Sequence, residues 1–499
     1  MTTPRKPLLF ALTALSAVLL SGCMMGPDFV KPLAPEVKTV PGAPLPEATL
    51  ATPGIKGGEA QRFVEGGVLP AQWWKTFGSA QLDAWVDEAL ANSPTLVAAE
   101  ATLRQQQALA EASLGSIYPS VTANAGASRR KTSAAGFGGG GVRGSIFNLY
   151  DTSVDVSYGL DLWGGTQRGI EGQRALVDAT QYQTSAAYLT LAGNVVTSAV
   201  ALASVQERLQ RAYAILESIK DSVRLAKRKY ELGAASRSEV IVVESTLANA
   251  LVTLQPLQQE LAVARNNLAL LLGRYPSEFD AGSFKLDDLT LPQEIPVSLP
   301  SELVARRPDV AAASAQLQVA SANVGIASAN VLPQLVLSAS VGSQAGRPKD
   351  LFDQTIWSLA GNLSAPLFDG GTLRAQKKAS IAAFDAAQAS YRSTVLKAFN
   401  EVANALSALV TGASELDAQK TSYELDAQVY QLAEARYRLG AANIFEVRQA
   451  RLTATLSEQS LISRRAQRYQ DTAALFQALG GDGWNSRMPP PASVSAAAP

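Results

Sequence analysis

One residue in this sequence is placed for a specific covalent reaction: Cys23, the only cysteine among 499 residues. It follows Leu20-Ser21-Gly22, and an apolar run over residues 8–20, preceded by two basic residues, leads up to it. This order is that of a secretory signal. Leu-Ser-Gly-Cys resembles a lipobox, in which small residues admit the peptidase and the cysteine sulfur carries a diacylglycerol. We therefore predict a signal peptide over residues 1–22 and a covalent lipid on Cys23.

A free cysteine in an ordinary signal sequence is the alternative, and a lone cysteine excludes a disulfide within the chain in either case. Each buried methylene of an acyl chain contributes about 0.8 kcal/mol to membrane binding, so several chains on one residue hold a membrane firmly. Met24 follows Cys23 where an inner-membrane retention signal would have Asp. These residues favour a chain that is exported, lipid-anchored and sorted to the outer membrane of a Gram-negative-type cell.

Catalytic chemistry finds little support in the rest of the sequence. It contains no histidine, and its single cysteine is assigned to the lipid, so the commonest general base and the usual transition-metal ligands are missing. It has no Gly-rich phosphate loop, no nucleophile elbow and no carboxylate pair in a recognisable catalytic setting. The 43 basic and 43 acidic residues balance, which gives no electrostatic footprint for nucleic acid. We predict a protein that is not an enzyme and has no cofactor besides the covalent lipid.

The sequence changes character along its length. Residues 23–70 are rich in proline, which forbids regular helix and predicts an extended strap that carries the lipid. From Trp73-Trp74 onward, apolar residues fall at helical spacing, so a compact helical region begins there. The tail over residues 484–499 is rich in Pro and Ala and is predicted to be disordered.

Four landmarks occur twice in the same order, which indicates an internal duplication. In the first copy they are Asn92-Ser93-Pro94, Leu162-Trp163-Gly164-Gly165-Thr166, Tyr230-Glu231-Leu232-Gly233-Ala234-Ala235 and Leu272-Gly273. In the second they are Arg307-Pro308-Asp309, Leu367-Phe368-Asp369-Gly370-Gly371-Thr372, Tyr437-Arg438-Leu439-Gly440-Ala441-Ala442 and Leu479-Gly480. We assign the first repeat to residues 71–290 and the second to residues 291–483.

Each repeat contains two short segments in which apolar and polar residues alternate, the pattern of a strand with two different faces. The predicted strands cover residues 119–130 and 147–162 in the first repeat, and 333–343 and 355–367 in the second. A glycine-rich or polar loop joins each pair, and each strand is long enough to cross an outer membrane at a tilt. Soluble hairpins that cap a helical bundle are the alternative.

Two stretches without proline, residues 166–232 and 372–439, predict helices about 100 Å long at 1.5 Å per residue. Apolar residues recur on both every seven positions, which makes helices coil around their neighbours. These positions are Tyr188, Val195, Leu202, Leu209, Leu216, Val223 and Tyr230, and Val395, Val402, Leu409, Leu416, Tyr423, Tyr430 and Tyr437. The chain then returns as helices over residues 236–273 and 443–480. Each repeat thus supplies an antiparallel coiled-coil pair.

Closure of the sheet predicts the stoichiometry. An open sheet edge cannot face hydrocarbon because its backbone groups would lack hydrogen-bond partners, and four strands cannot close on themselves. Three chains would pool twelve strands, an even number that leaves room for a water-filled lumen. The predicted fold class is therefore an α+β membrane protein with a pooled β-barrel and a long coiled-coil helical barrel.

The sequence resembles the TolC-like outer-membrane efflux channels, and more narrowly the NodT-type lipoprotein branch. The resemblance extends from about Trp73 to Gly481 and rests on the order and duplication of short motifs. They are Trp73-Trp74 with Phe77, Asn92-Ser93-Pro94, Arg306-Arg307-Pro308-Asp309, Leu367-Phe368-Asp369-Gly370-Gly371 and two Tyr-x-Leu-Gly turns. The family implies a homotrimer with a twelve-strand barrel in the outer membrane and a helical barrel across the periplasm. It also implies docking to a periplasmic adaptor protein and an inner-membrane RND-type pump.

The resemblance further implies roles for residues at the two turns. The periplasmic tip that docks the adaptor would consist of Gly233, Ala234, Ala235, Gly440, Ala441 and Ala442. Glu446 matches a carboxylate that constricts the entrance in the family, and Glu239 is its counterpart in the first repeat. Ala442 stands where some relatives have a basic residue, which argues against a latch of that kind here. A plain turn for the glycines, which adopt a left-handed conformation without strain, and a solvated helix face for the glutamates are the alternatives.

The leading functional hypothesis is a passive exit duct of a tripartite system that expels drugs or other small molecules, energised elsewhere because the sequence has no nucleotide site. Type I protein secretion through the same kind of duct is the second hypothesis. A structural envelope lipoprotein that braces the periplasm is the third.

Overall fold

The computed structural model describes residues 24–33, 45–131, 146–297 and 306–480. Cys23, the predicted signal peptide and the predicted tail lie outside these ranges. The α-helices of the described residues are α1 (Ala80–Asn92), α2 (Pro94–Leu114), α3 (Gly165–Glu231), α4 (Arg237–Leu271), α5 (Pro308–Ala329), α6 (Thr372–Arg438) and α7 (Ile444–Leu479). Their strands are β1 (Arg62–Glu65), β2 (Ser120–Lys131), β3 (Ile146–Leu160), β4 (Glu294–Val297), β5 (Gln334–Ala345) and β6 (Thr355–Ser364).

The elements repeat in order: α2-β2-β3-α3-α4 is followed by α5-β5-β6-α6-α7. The long helices α3 and α6 contain 67 residues each, which gives rods of about 100 Å. Both begin after a glycine in the left-handed conformation, Gly164 at φ 72° and Gly371 at φ 85°. A carboxylate caps each rod, because Asp161 and Asp369 accept hydrogen bonds from backbone N–H groups of the first turn.

The seven-residue apolar repeat is buried along most of both rods. The buried members are Val195, Leu202, Leu209, Leu216 and Val223 on α3, and Val395, Val402, Leu409 and Leu416 on α6. The tyrosine members differ: Tyr188, Tyr423, Tyr430 and Tyr437 are half-buried, and Tyr230 is 48% exposed. The rods α3 and α6 pack against their returning partners α4 and α7, so each repeat forms the coiled-coil pair that the periodicity predicts.

The helices lie side by side instead of closing into a bundle. Near the large sheet, α3 packs between α2 and α5, and α6 packs on the other side of α5. Farther from the sheet, α4 packs on α3, and α7 packs on both α3 and α6. The row next to the sheet therefore ends at α2 and α6. Apolar side chains are exposed on both end helices, including Leu109 on α2 and Ile381 on α6.

The large sheet has the strand order β2-β3-β5-β6, and every neighbouring pair is antiparallel. Within the described chain, β2 and β6 each have one edge without a backbone partner. Two strands end slightly earlier than predicted: β3 ends at Leu160, where the prediction gave about residue 162, and β6 ends at Ser364, where it gave about residue 367. Pro366 explains the second difference, because proline has no N–H to donate to the sheet.

The predicted extended strap contains one strand of a small parallel sheet, which the sequence pattern did not predict. β1 lies within residues 23–70 and pairs with β4 from Arg62 opposite Glu294 to Glu65 opposite Val297. The pairing joins segments more than 200 residues apart, so local composition could not reveal it. The strap is therefore attached to the start of the second repeat.

An aromatic cluster fills the core where the strap meets the rods. Trp73, Trp74 and Phe77 are fully buried. The rings of Trp73 and Phe476 lie edge to face with centroids 5.7 Å apart, and Phe77 packs against Tyr469 at 6.4 Å. Such pairs add about 0.5–1.5 kcal/mol beyond the area they bury. The cluster joins the start of the first repeat to the end of α7 in the second.

Buried arginines on α7 hold the strap in place. Arg468 donates to the carbonyl oxygens of Leu409, at 2.9 Å, and Glu59, at 3.3 Å. Arg465 donates to the Lys56 carbonyl at 2.7 Å and pairs with Asp287. Burial lowers the pKa of the Arg468 guanidinium and raises the pKa of the neighbouring Tyr469 hydroxyl to about 12. The strap is thus fixed to α7 near the middle of the molecule by backbone carbonyls that accept from charged donors.

Candidate functional site

Two helical turns of matching construction form the end of the rods that lies away from the sheet. Gly233 and Gly440 have φ of 75° and 73°, the left-handed conformation that ends a helix. After each glycine an alanine N–H donates over 2.8 Å to a carbonyl one turn back: Ala234 to Lys229 and Ala441 to Arg436. Ala235 and Ala442 follow and are half-buried. The six predicted tip residues thus lie at two reversals of the chain.

The first predicted constriction residue, Glu239, binds a residue of the other repeat. The Tyr437 hydroxyl donates a hydrogen bond to a Glu239 carboxylate oxygen. The Lys229 ammonium lies 5.6 Å from the centroid of the Tyr437 ring, within cation–π range. Tyr437 is in the last turn of α6 and Glu239 in the first turn of α4. The contact therefore joins the two coiled-coil pairs at their tips.

The sequence places Tyr437 in the seven-residue repeat and in the second Tyr-x-Leu-Gly turn, but neither pattern predicted the hydrogen bond of its hydroxyl. The available signal was its hydroxyl, because a tyrosine in a packed seam usually needs a hydrogen-bond partner. Its counterpart in the first repeat, Tyr230, has no such partner among the described residues and is half-exposed. The duplicated position is therefore used differently in the two repeats.

The second predicted constriction residue, Glu446, has a different environment. Its carboxylate accepts from the Asn443 side chain at 3.1 Å, and its N–H donates to the Asn443 carbonyl Oδ1 at 3.0 Å. Asn443 is thus the N-cap of α7, and its side-chain amide also binds the Glu446 carboxylate. Glu446 also lies 3.8 Å from the Arg436 guanidinium and is half-exposed. The two glutamates thus share a position after their turns but not their partners.

The large sheet has one apolar and one polar face. The register aligns Ala123, Val154, Val341 and Trp357 across the four strands on one face. Trp357 is 73% exposed. Exposed apolar side chains on every second residue are the outer surface that a membrane barrel presents to hydrocarbon.

On the other face the next row across the strands is polar: Thr122, Asp155, Ser340 and Ser358. Asp155 accepts hydrogen bonds from Asn124 and Ser153 at 2.7 Å and from Ser340 at 2.5 Å. Three strands thereby contribute donors to one carboxylate. This face is suited to water, as the inside of a barrel requires.

Aromatic residues mark the boundary between the sheet and the helices. Tyr118 and Phe368 are 63% and 92% exposed, and Trp163 donates its ring N–H to the Pro333 carbonyl at 2.7 Å. Amphipathic rings at this level are typical of a membrane–water interface. The sheet therefore has the face and the boundary of a segment that enters a membrane.

The first described residues dock at the same boundary. The Met25 N–H donates to the Trp163 carbonyl at 2.9 Å, and Arg168, which is almost fully buried, binds the Met25 carbonyl and the Asp28 carboxylate. Gly26 crosses α5 so closely that a Cβ there would lie 2.5 Å from the Gly325 Cα. Residues 24–28 are therefore held against α3 and α5, and Cys23 immediately precedes this docked segment.

Among the residues that the structure describes, no group of three or more His, Cys, Asp or Glu side chains could hold a metal ion.

Comparisons with known proteins agree with this arrangement. A family model described as outer membrane efflux protein matches residues 85–274 and 299–481. The pyoverdine export outer membrane protein OpmQ of Pseudomonas aeruginosa is 32% identical over 418 residues, 83% of this chain and 88% of that protein. Nodulation protein T of Rhizobium leguminosarum bv. trifolii is 25% identical over 488 residues, 95% of this chain and 97% of its own. The outer-membrane channel OprN has a TM-score of 0.81 at 28% identity, covering 93% of this chain and 100% of its own.

The close crossing at Gly26 gives a prediction for the N-terminal dock. Gly26→Ala should release residues 24–28, because the new methyl group collides with the α5 backbone, and such overpacking costs about 1–3 kcal/mol. Amide hydrogen exchange should rise roughly tenfold at Met25 and in the first turn of α3. Gly54→Ala is the matched control, since Gly54 has φ 79° but no atom within 4 Å of the new methyl group. Equal exchange in the two variants would contradict the assigned crossing.

Proposed function

Because the chain belongs to the outer membrane efflux protein family, we propose that three copies assemble into one passive exit duct for small molecules. The protein is an outer-membrane channel of an efflux system. The observation that carries the trimeric duct is the open four-stranded sheet, apolar on one face and polar on the other, continuous with rods of about 100 Å. Such a sheet conducts only when further strands complete its circumference.

The edges of the sheet support three copies. β2 and β6 have unpaired backbone groups along one side each, and in hydrocarbon these groups need partners. If β6 of each copy pairs with β2 of the next copy, the backbone groups of both edge strands gain hydrogen-bond partners. A head-to-tail contact of this type closes into a ring. Three copies give twelve strands, enough for a water-filled lumen.

The helices leave the same two edges open. β2 continues α2, and β6 leads into α6, so the ends of the helical row lie below the ends of the sheet. Leu109 on α2 and Ile381 on α6 are 47% and 42% exposed. Contact between neighbouring copies would cover them. One arrangement thus completes both the sheet and the helical row.

The tip is the proposed docking site for a periplasmic adaptor protein, which links the duct to an inner-membrane RND-type pump. A groove of about 230 Å³ lies between α3, α4 and α7, about two to six helical turns from the reversals at Gly233 and Gly440. Its lining combines apolar and polar groups, including Ile219, Thr253 and Arg451. Such a groove suits an amphipathic helix of a partner.

The Tyr437–Glu239 contact is the proposed closing latch of the duct. It holds α6 of the second repeat to α4 of the first at the narrow end, so its rupture lets the two coiled-coil pairs separate. Glu446, bound to its own helix cap, is proposed to line the entrance next to this latch. Opening by an adaptor would then have to break this hydrogen bond and the packing of Ile444 against Val223 and Val243 in each chain.

The transported molecules are proposed to be small organic compounds selected elsewhere. OpmQ is named for the export of pyoverdine, a small molecule and not a protein, which supports efflux over protein secretion. The polar lumen face offers serine, threonine, asparagine and aspartate side chains. A duct of this kind passes what the pump delivers.

The covalent lipid on Cys23 is proposed to anchor each chain in the inner leaflet of the outer membrane. Met24 touches Gly164 at the boundary between sheet and helices, since a Cβ on Gly164 would lie 2.9 Å from the Met24 Cα. Acyl chains on the preceding residue would thus enter the bilayer at the level of Tyr118 and Phe368. The lipid attachment point would be fixed to the channel wall.

Assembly and conductance test the duct. Purified wild-type protein should be a trimer in detergent and conduct in a planar bilayer. Ile381→Glu should shift the protein to monomers without conductance, because burying an unpaired carboxylate in an apolar contact costs several kcal/mol. Asn194→Glu is the control: it places the same charge at an exposed position of α3, which has neighbours on both sides. A wild-type protein that is monomeric and does not conduct would contradict the proposed duct.

Basal conductance tests the latch. Tyr437→Phe removes the donor to Glu239 while keeping the ring. Loss of one partly exposed hydrogen bond to a charged group costs about 1 kcal/mol, which lowers the closed-to-open ratio about fivefold per chain. Tyr230→Phe is the matched control at the repeat-related position and should leave conductance unchanged. If both variants conduct like the wild type, the contact does not close the duct.

Mass spectrometry tests the anchor. The mature wild-type chain should begin at Cys23 and exceed its polypeptide mass by the acyl groups. Cys23→Ser should lack this excess mass and be processed differently, while the folded chain still binds Met25 to Trp163. An unmodified Cys23 in membrane-extracted protein would mean that the cysteine is free.

A further inference from the structure

The cations of the large sheet are confined to one end. In the described part of the sheet and its β5–β6 connection, every Lys and Arg lies at the end away from the helices: Arg129, Arg130, Lys131, Arg347 and Lys349. The opposite strand ends, residues 117–121, 158–163, 332–336 and 363–370, contain no Lys or Arg. The two ends of the sheet therefore meet chemically different surroundings.

Two of these cations lie on the apolar face. Along β2 this face presents Val121, Ala123, Ala125 and Ala127, and then Arg129 and Lys131. Arg130 lies between them on the polar face. From Val121 to Arg129 the strand rises about 26 Å, or roughly 20 Å across a membrane at the usual tilt. Because the apolar band of such barrels is about 25 Å tall, Arg129 and Lys131 lie at its outer boundary.

A third cation approaches from the neighbouring hairpin. Asn148 of β3 pairs with Arg129 on one side. On its other side, a Cβ at Gly346 would lie 3.9 Å from the Asn148 carbonyl oxygen. Arg347 follows Gly346, so its backbone and that of Arg129 flank the same residue, about 10 Å apart at the usual strand spacing.

These cations are not neutralised by the described chain. Lys349 lies 3.9 Å from Asp350, whereas Arg129, Arg130, Lys131 and Arg347 have no ion pair within the described residues. Residues 132–145, which join β2 to β3, contain no Asp or Glu in their sequence and add a further arginine. These unpaired cations lie at the edge of the apolar band, at the level where lipid headgroups begin. An anionic group carried by a lipid is therefore the partner that this position favours.

We propose that Arg129 and Lys131, assisted by Arg347, bind the phosphate groups of a phosphorylated glycolipid in the outer leaflet. Lipid A, whose glucosamine phosphates lie directly above the acyl chains, has this chemistry. The guanidinium and ammonium groups donate charge-assisted hydrogen bonds to phosphate oxygens while the alanine and valine face below contacts the acyl chains. The proposal rests on the proposed function, because that function orients this end toward the outside.

The test uses the full-length trimer and two lipid probes. Native mass spectrometry measures binding of bisphosphorylated lipid A and of the same lipid after dephosphorylation. The wild type should prefer the phosphorylated form, and Arg129→Gln with Lys131→Gln should weaken its binding by about tenfold or more. Two single variants, each of which removes one positive charge, complete the comparison: Arg129→Gln should still weaken binding, whereas Arg130→Gln, at the adjacent polar-face position, should leave binding within about twofold.

Three results would overturn the proposal: equal binding of the two lipids, an equal loss in the Arg129→Gln and Arg130→Gln variants, or full competition by inorganic phosphate at the lipid concentration. The last would assign the cations to free phosphate. Conductance of the same preparations separates this test from that of the duct. A trimer that conducts but binds both lipids equally contradicts only the glycolipid site. A chain that does not conduct contradicts the proposed function.

Discussion

In hydrocarbon, a backbone N–H or C=O without a hydrogen-bond partner costs several kcal/mol, and β2 and β6 each have one edge of such groups within the described chain. The strands are long enough to cross a bilayer and apolar on one face, so water cannot supply the missing partners. This requirement for hydrogen-bond partners affects the helices as well as the sheet. In the proposed duct, strands from further copies supply these partners. Because β2 and β6 are continuous with α2 and α6, the same pairing then sets which helices meet between copies.

The attachment of the strap follows from the same architecture. A row of helices that is open on both sides has no enclosed core of its own near the sheet, so it gains stability from segments laid across it. Residues 24–28 cross α3 and α5, and the buried Arg168 binds the strap backbone at that crossing. Farther along, Arg465 and Arg468 bind strap carbonyls beside the aromatic cluster of Trp73 and Phe476. The strap is thus a structural part of the rods and not a free tether.

The two repeats share their secondary structure but differ in the residues at the tip and at the far end of the sheet. Both repeats build a strand pair, a 67-residue rod and a glycine turn from the same landmarks. Only the second repeat offers a tyrosine to a carboxylate of the first, and only β2 of the first repeat ends in a run of three cations. An asymmetric pair of repeats can therefore contact itself at the tip and present a charged rim at the other end.

The sequence by itself determined the fold class, the family and most element positions, because these depend on local periodicity, proline and glycine placement and repeated motifs. The long helices, the two hairpins and the turns at Gly233 and Gly440 follow from such patterns, and the match to the outer membrane efflux protein family confirms the resemblance. Only the tertiary structure decided the pairing of β1 with β4, the docking of residues 24–28 and the different partners of Glu239 and Glu446. These depend on contacts between residues distant in the chain, where the identity of the partner is set by packing and not by spacing. Tyr437 illustrates the limit: its period placed it in a seam, but only the packing of one repeat against the other gave its hydroxyl a carboxylate to bind.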